Sequence, residues 1–187
     1  MTTVAVVFHS GYGHTAKQAQ AVIEGARRIA GTVTHLIPVA EVEAHWDTLA
    51  SADAIVFGAP THMGGPSADF KTFAAASSKP WFTQLWKDKI AGGFTNSVSL
   101  NGDKHSTLAY FVTLAMQHSM IWVGTGLMPA NSSTAQRNDI NRMGAFTGAM
   151  AQSDSDAGPD VAPPEGDLET ARLYGKRIAE IAARFRR

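Results

Sequence analysis

The clearest chemical signal lies in Ser10-Gly11-Tyr12-Gly13-His14-Thr15, a stretch of small, hydroxyl and ring-bearing residues. It follows a continuous apolar run at residues 4–8 and precedes Ala16, Ala19, Ile23, Ala26 and Ala30 at helical spacing. A buried strand, a tight turn and a helix start together aim backbone N–H groups and the positive end of a helix dipole at one point, which favours an anion. The turn has neither the lysine-bearing pattern of triphosphate loops nor the G-x-G-x-x-G of dinucleotide binders. It suits one dianionic monophosphate held by N–H and O–H groups. Taken alone, an ordinary βα turn is the plain alternative.

Two further stretches carry groups suited to a flat ring. Pro60-Thr61-His62-Met63-Gly64-Gly65-Pro66 combines a thioether, polar groups and glycines that let backbone approach a ring closely. Asn96, Ser97, Val98, Ser99, Asn101 and Gly102 supply mainly neutral hydrogen-bonding groups for a heterocycle's edge. Each stretch by itself also reads as a connector. Other chemistries are disfavoured. The chain has no cysteine, so disulfides and thiolate catalysis are excluded. Its seven histidines show no HExxH and no ligand spacing, and no metal is expected. Ser10 lacks a nucleophile elbow. Trp46, Trp86 and Trp122 read as packing residues, whereas Trp81 lies in an expected loop near the site.

The elements that must position these loops alternate along the chain. Strands are expected at residues 4–8, 32–38, 53–58, 89–95 and 120–124. Helices are expected at 15–30, 39–51, 67–76, 105–118 and 168–185, with Asp167 as the last N-cap and Lys79-Pro80-Trp81 as a break. Residues 125–166 read as one long loop, and Gly92 and Gly93 as marks of close packing. This alternation predicts an α/β fold: a three-layer, flavodoxin-like sandwich with a five-stranded parallel sheet of order 2-1-3-4-5, its ligand at the β1/β3 switch point. The 187 residues are expected to form one domain, 1–187. A formal net charge of zero suggests no nucleic-acid or membrane-surface partner. With no spanning run and no leader-like start, a cytoplasmic location is expected.

On the turn at 10–15, on Phe57-Gly58-Ala59-Pro60-Thr61-His62-Met63-Gly64, on Trp81 and on residues 113–120, the chain resembles flavodoxin-fold FMN proteins. It is most similar to the WrbA-type NAD(P)H:quinone oxidoreductases and the NADPH-dependent FMN reductase family. The resemblance implies that Ser10, Gly11, Tyr12, Gly13, His14 and Thr15 hold the FMN phosphate. Pro60, Thr61, His62, Met63 and Gly64 would lie along the isoalloxazine, and residues 96–102 would line its other edge. His118 would sit at the pyrimidine end as the candidate catalytic group, and Tyr12 and Trp81 would flank the nicotinamide or quinone. His62 stands where the WrbA group has arginine. Val98, Leu100 and Asn101 stand where that group is glycine-rich, and residues 39–51 leave no room for its extra segment.

The implied activity is transfer of two electrons from NAD(P)H to a quinone or similar acceptor, in a homodimer or homotetramer. The alternative is an electron-transfer flavodoxin without a small-molecule substrate. Such carriers are usually strongly acidic, unlike this chain.

Overall fold

The computed structural model describes residues 1–186. Its strands are β1 (Thr2–Phe8), β2 (Thr32–Pro38), β3 (Ala54–His62), β4 (Gly65–Pro66), β5 (Ile90–Ser97), β6 (Ile121–Trp122) and β7 (Ala149–Gln152). Its α-helices are α1 (His14–Arg27), α2 (Trp46–Ser51), α3 (Ala68–Ala76), α4 (Ser78–Phe82), α5 (Lys104–Gln117) and α6 (Glu165–Phe185). The parallel sheet runs β2-β1-β3-β5-β6. The short β4 folds back antiparallel on the end of β3. Omitting β4, the order is the expected 2-1-3-4-5.

Side chains of β1 alternate between two cores, as a strand buried on both faces requires. Val4, Val6 and Phe8 join the α1 and α6 side, with Ile23, Tyr174 and Ile178. Ala5 and Val7 join the α3 and α5 side, where Phe57, Phe70, Phe73, Trp86 and Phe111 form an aromatic cluster. The Phe70 and Phe111 ring centroids are 4.7 Å apart.

The last strand departs from expectation. Only Ile121 and Trp122 pair with the start of β5, at Ile90 and Ala91. The chain then leaves the sheet and returns as β7, which pairs with Phe94–Ser97 further along the same edge. A two-residue gap is thus left opposite Gly92 and Gly93. Tyr174 fills it from α6: its hydroxyl accepts from Gly93 N at 3.1 Å and donates to Val123 O at 2.6 Å. A Cβ on Gly92 would lie 2.6 Å from that hydroxyl. The close packing expected at these glycines is therefore the approach of Tyr174. It satisfies a backbone N–H that the interrupted ladder would leave unpaired.

Smaller differences have local causes. Pro80 lies in the first turn of α4, where its missing N–H costs no helical bond, so Lys79-Pro80-Trp81 forms a helix instead of a break. Residues 39–51 split into a 3-10 turn, Val39–Ala44, and α2. Helix α6 begins at Glu165 after Pro164, so Asp167 is not its cap. Thr61, His62, Asn96 and Ser97, expected in loops, extend β3 and β5.

Candidate functional site

The carboxyl ends of β1, β3 and β5 open on a cleft of about 480 Å³. The first loop contributes Ser10, Gly11, Tyr12, His14 and Thr15 to its lining. The second contributes Pro60, Thr61, His62 and Met63, and the third Asn96, Ser97, Val98, Ser99 and Gly102. Gly13, Gly64 and Asn101 belong to these loops without lining the cleft.

The first loop is shaped from within. Ser10 Oγ accepts from Gly13 N at 3.2 Å and Ala16 N at 3.1 Å, which leaves its own hydrogen free to donate. Helix α1 starts at His14, and its earliest N–H groups have no intrahelical acceptor. Among the described residues, the amides of His14 and Thr15 find no acceptor elsewhere. Gly13 adopts φ 90°, a left-handed conformation that glycine enters without strain. A Cβ there would also lie 2.8 Å from Pro159 Cγ.

Pro159 belongs to a fourth wall that the sequence did not mark. His14 Nε2 donates to Ala157 O at 2.8 Å, a carbonyl that can only accept. Ser153 lines the cleft, and its hydroxyl donates to Asn96 Oδ1 at 3.0 Å. This wall follows β7, whose pairing with β5 brings it to the site. Only local composition was available to signal it, and that composition reads as loop.

Thr61 faces inward from the second loop: its hydroxyl lies 2.8 Å from both Thr95 Oγ1 and Thr107 Oγ1. Met63, in contrast, is fully exposed at φ 48°. With Tyr12 and Val98, also exposed and lining the cleft, it gives the mouth apolar surface.

Beneath the third loop lies Lys104, also unmarked by the sequence. Its side chain is completely buried, and its ammonium donates to Ser97 Oγ (2.9 Å), Ser99 O (2.8 Å) and Leu100 O (2.8 Å). Burial lowers its pKa from 10.5 to about 8. On the outer side of the loop, Gln152 Nε2 donates to Val98 O at 2.9 Å. Gln152 Oε1 accepts from Arg137 at 3.3 Å, and Arg137 makes a two-pronged pair with Asp167 at 2.9 and 2.7 Å. Asp167 also accepts from Gln152 N, so its carboxylate joins three segments of chain.

His118 and Trp81 are not brought to the cleft. His118 is buried against Trp86, with ring centroids 4.2 Å apart, and Nε2 lies 2.9 Å from Ser77 Oγ. Burial depresses its pKa to about 4, and its Nδ1 has no partner. Trp81 is exposed on α4 beside Phe82. Among the described residues, no cluster of histidine and acidic side chains could hold a metal ion, and no helix is long and apolar enough to cross a membrane.

An anion cradle after β1 and a polar-walled cleft at the β1/β3 switch point define a flavodoxin-fold protein. Residues 31–135 match the family model described as NADPH-dependent FMN reductase. The chain is 50% identical over 182 residues to Flavodoxin FldP of Pseudomonas aeruginosa, covering 97% of each. It is 32% identical to an NAD(P)H dehydrogenase (quinone) of Geobacter sulfurreducens, covering 97% of this chain and 98% of that one. The crystal structure of a flavodoxin, WrbA-like protein from Agrobacterium tumefaciens superposes with a TM-score of 0.79 at 46% identity, covering both chains fully. The chain belongs to the flavodoxin-like FMN proteins of the WrbA and FMN reductase type, and FMN is its cofactor.

Proposed function

We propose that this protein is an FMN-dependent enzyme that takes two electrons from NAD(P)H and passes them to a quinone or similar acceptor. The observation that supports this most is the cleft, with unsatisfied N–H donors at one end and an open apolar mouth at the other. The donor set fits a monophosphate: the amides of His14 and Thr15, the Ser10 hydroxyl and the start of α1 all bear on one point. When bound, the flavin supplies the hydride and electron chemistry.

The chain's own residues bind and orient it. Ser10, Gly11, Tyr12, Gly13, His14 and Thr15 hold the phosphate. Pro60, Thr61, His62 and Met63 would bound one side of the ring, and Asn96, Ser97, Val98, Ser99 and Gly102 the other, with Gly64 and Asn101 shaping those loops from outside the cleft. Tyr12 and Met63, exposed at the mouth, would leave room there for two planar substrates to be used in turn. The reaction needs no protein acid there, and His118, locked behind Trp86, is assigned none. Relatives named NAD(P)H dehydrogenase (quinone) support the substrate pair. The exposed Trp81, Phe82, Leu85 and Met116 support a homodimer or homotetramer, checked by light scattering at micromolar concentration. A cytoplasmic location, and the absence of nucleic-acid or membrane partners, belong to the same proposal.

The test is anaerobic titration of FMN-loaded protein with NADH and NADPH, followed by a benzoquinone. Bleaching at one equivalent per flavin and recovery of colour on adding quinone are expected. No bleaching with either nucleotide would overturn the reading. A second reading, an electron carrier, is favoured by the 50% identical relative named flavodoxin. Reduction in two well-separated one-electron steps, with no response to NAD(P)H, would select it.

A further inference from the structure

We propose that Lys104 is the positioning cation of the cleft: its buried ammonium shapes the third loop for the flavin ring and stabilises the negative charge that the ring gains on reduction. The inference rests on the reading of the cleft as the FMN site. Protein that binds FMN would uphold that reading whatever the outcome for Lys104.

The geometry is a saturated clamp. An ammonium has three donors, and all three are used, on Ser97 Oγ, Ser99 O and Leu100 O. Ser97 and Ser99 themselves line the cleft, so the charge lies directly behind its wall. A trans peptide carries its C=O and N–H on opposite sides. Turning the Ser99 and Leu100 carbonyls onto the ammonium therefore turns the amides of Leu100 and Asn101 away from it. Among the described residues neither amide has an acceptor.

The charge is not cancelled locally. Every hydrogen-bond acceptor on the ammonium is neutral. The other charged groups that act on it are Asp167 of α6, which favours the protonated form, and Arg137 of the segment between β6 and β7, which opposes it. These two neutralise one another in their own pair. Asp103 and His105 flank Lys104 in sequence but make no hydrogen bond to it. A buried ion without a counter-ion is costly. A nearby ligand that becomes anionic would offset that cost, and the coupling would run both ways.

Three proteins are compared: wild type, Lys104→Met and Lys104→Gln. Methionine keeps the length but no donors, whereas glutamine keeps two donors and loses the charge. Folding is checked by near-ultraviolet circular dichroism, and affinities for FMN and riboflavin by fluorescence. The two-electron potential is measured against a reference dye.

Lys104→Met is expected to weaken FMN and riboflavin alike by about tenfold, because the clamp serves the ring and not the phosphate. Reduced FMN should be weakened by a further tenfold, which lowers the two-electron potential by about 30 mV. Lys104→Gln should recover part of the affinity and none of the potential. A purely structural lysine would shift both redox forms equally and leave the potential unchanged, which would overturn the proposal. If neither variant folds, the wild type decides. Riboflavin affinity should fall between pH 7 and pH 9 as the ammonium, held near pH 8 by burial, loses its proton. A flat profile would overturn the proposal.

Discussion

The first loop is shaped mainly from within, by Gly13 N and Ala16 N donating to Ser10 Oγ three and six residues away, with one distant tie from His14 Nε2 to Ala157 O. The third loop is held by Lys104 beneath it and by Gln152, 54 residues away from Val98. That glutamine is in turn fixed by Arg137 and Asp167. A phosphate asks only for converging N–H groups, and a helix start provides these from local sequence. A flat ring asks for an extended polar edge. An irregular loop presents one only if its carbonyls are turned elsewhere and satisfied, and that work is shared between Lys104, a few residues along the chain, and the distant Gln152.

The largest expected effect breaks this contrast at the phosphate end. Thr15→Glu places a carboxylate against the phosphate and should weaken FMN at least about a hundredfold, with riboflavin affinity within about twofold of wild type. Equal losses for both ligands would show that the first loop does not read the phosphate.

Acid titration checks the aromatic core beyond the third loop. The His118 pKa is lowered from 6.5 to about 4 by burial, so between those values the unfolded chain binds more protons than the folded one. Stability should therefore be full above about pH 6.5 and fall by roughly 3 kcal/mol as the pH drops to 4. Urea unfolding of His118→Phe should show a shallower acid loss. An equally steep loss would remove His118 as the cause.

Asp167→Asn tests the long-range support of the ring end. It removes one acceptor from a buried carboxylate that binds Arg137 and Gln152 N, and should cost about 2 kcal/mol in urea unfolding. Riboflavin and FMN should weaken equally; loss of FMN alone would place this network at the phosphate end instead.

The smallest effect is Gly13→Ala. The positive φ and the approach of Pro159 should together cost about 1–2 kcal/mol in thermal or urea unfolding. Here FMN should be weakened more than riboflavin. Equal weakening would mean that the fourth wall, not the first loop, carries the change.

The expectations that held are those written in local chemistry. Apolar β-branched runs made β1, β2 and β3, and the alternation of elements fixed the parallel order. The Ser10 turn before a helix lies where the cleft has the unpaired amides of His14 and Thr15. The expectations that shifted depended on distant partners. Asp167 looked like an N-cap because Asp before an apolar repeat usually is one, but Arg137 captures its carboxylate. Residues 120–124 looked like a whole strand, yet the sheet uses two of them and completes the edge with β7. His118 looked available, yet Trp86 and Ser77 enclose it.

By itself, then, the sequence determined the fold class, through periodicity and the alternation of its elements, and the flavin class of ligand, through the resemblance of its loops to FMN proteins. Only the tertiary structure decided the shape of the ring end. Lys104 sits at the start of α5 and reads as an ordinary surface lysine, since burial is not written in residue type. Its three acceptors lie four to seven residues before it, and they become its partners only where the turn between β5 and α5 folds back over the ammonium. Ser153 reaches the cleft, and Pro159 the back of the first loop at Gly13, only because β7 returns to the sheet edge that β6 leaves.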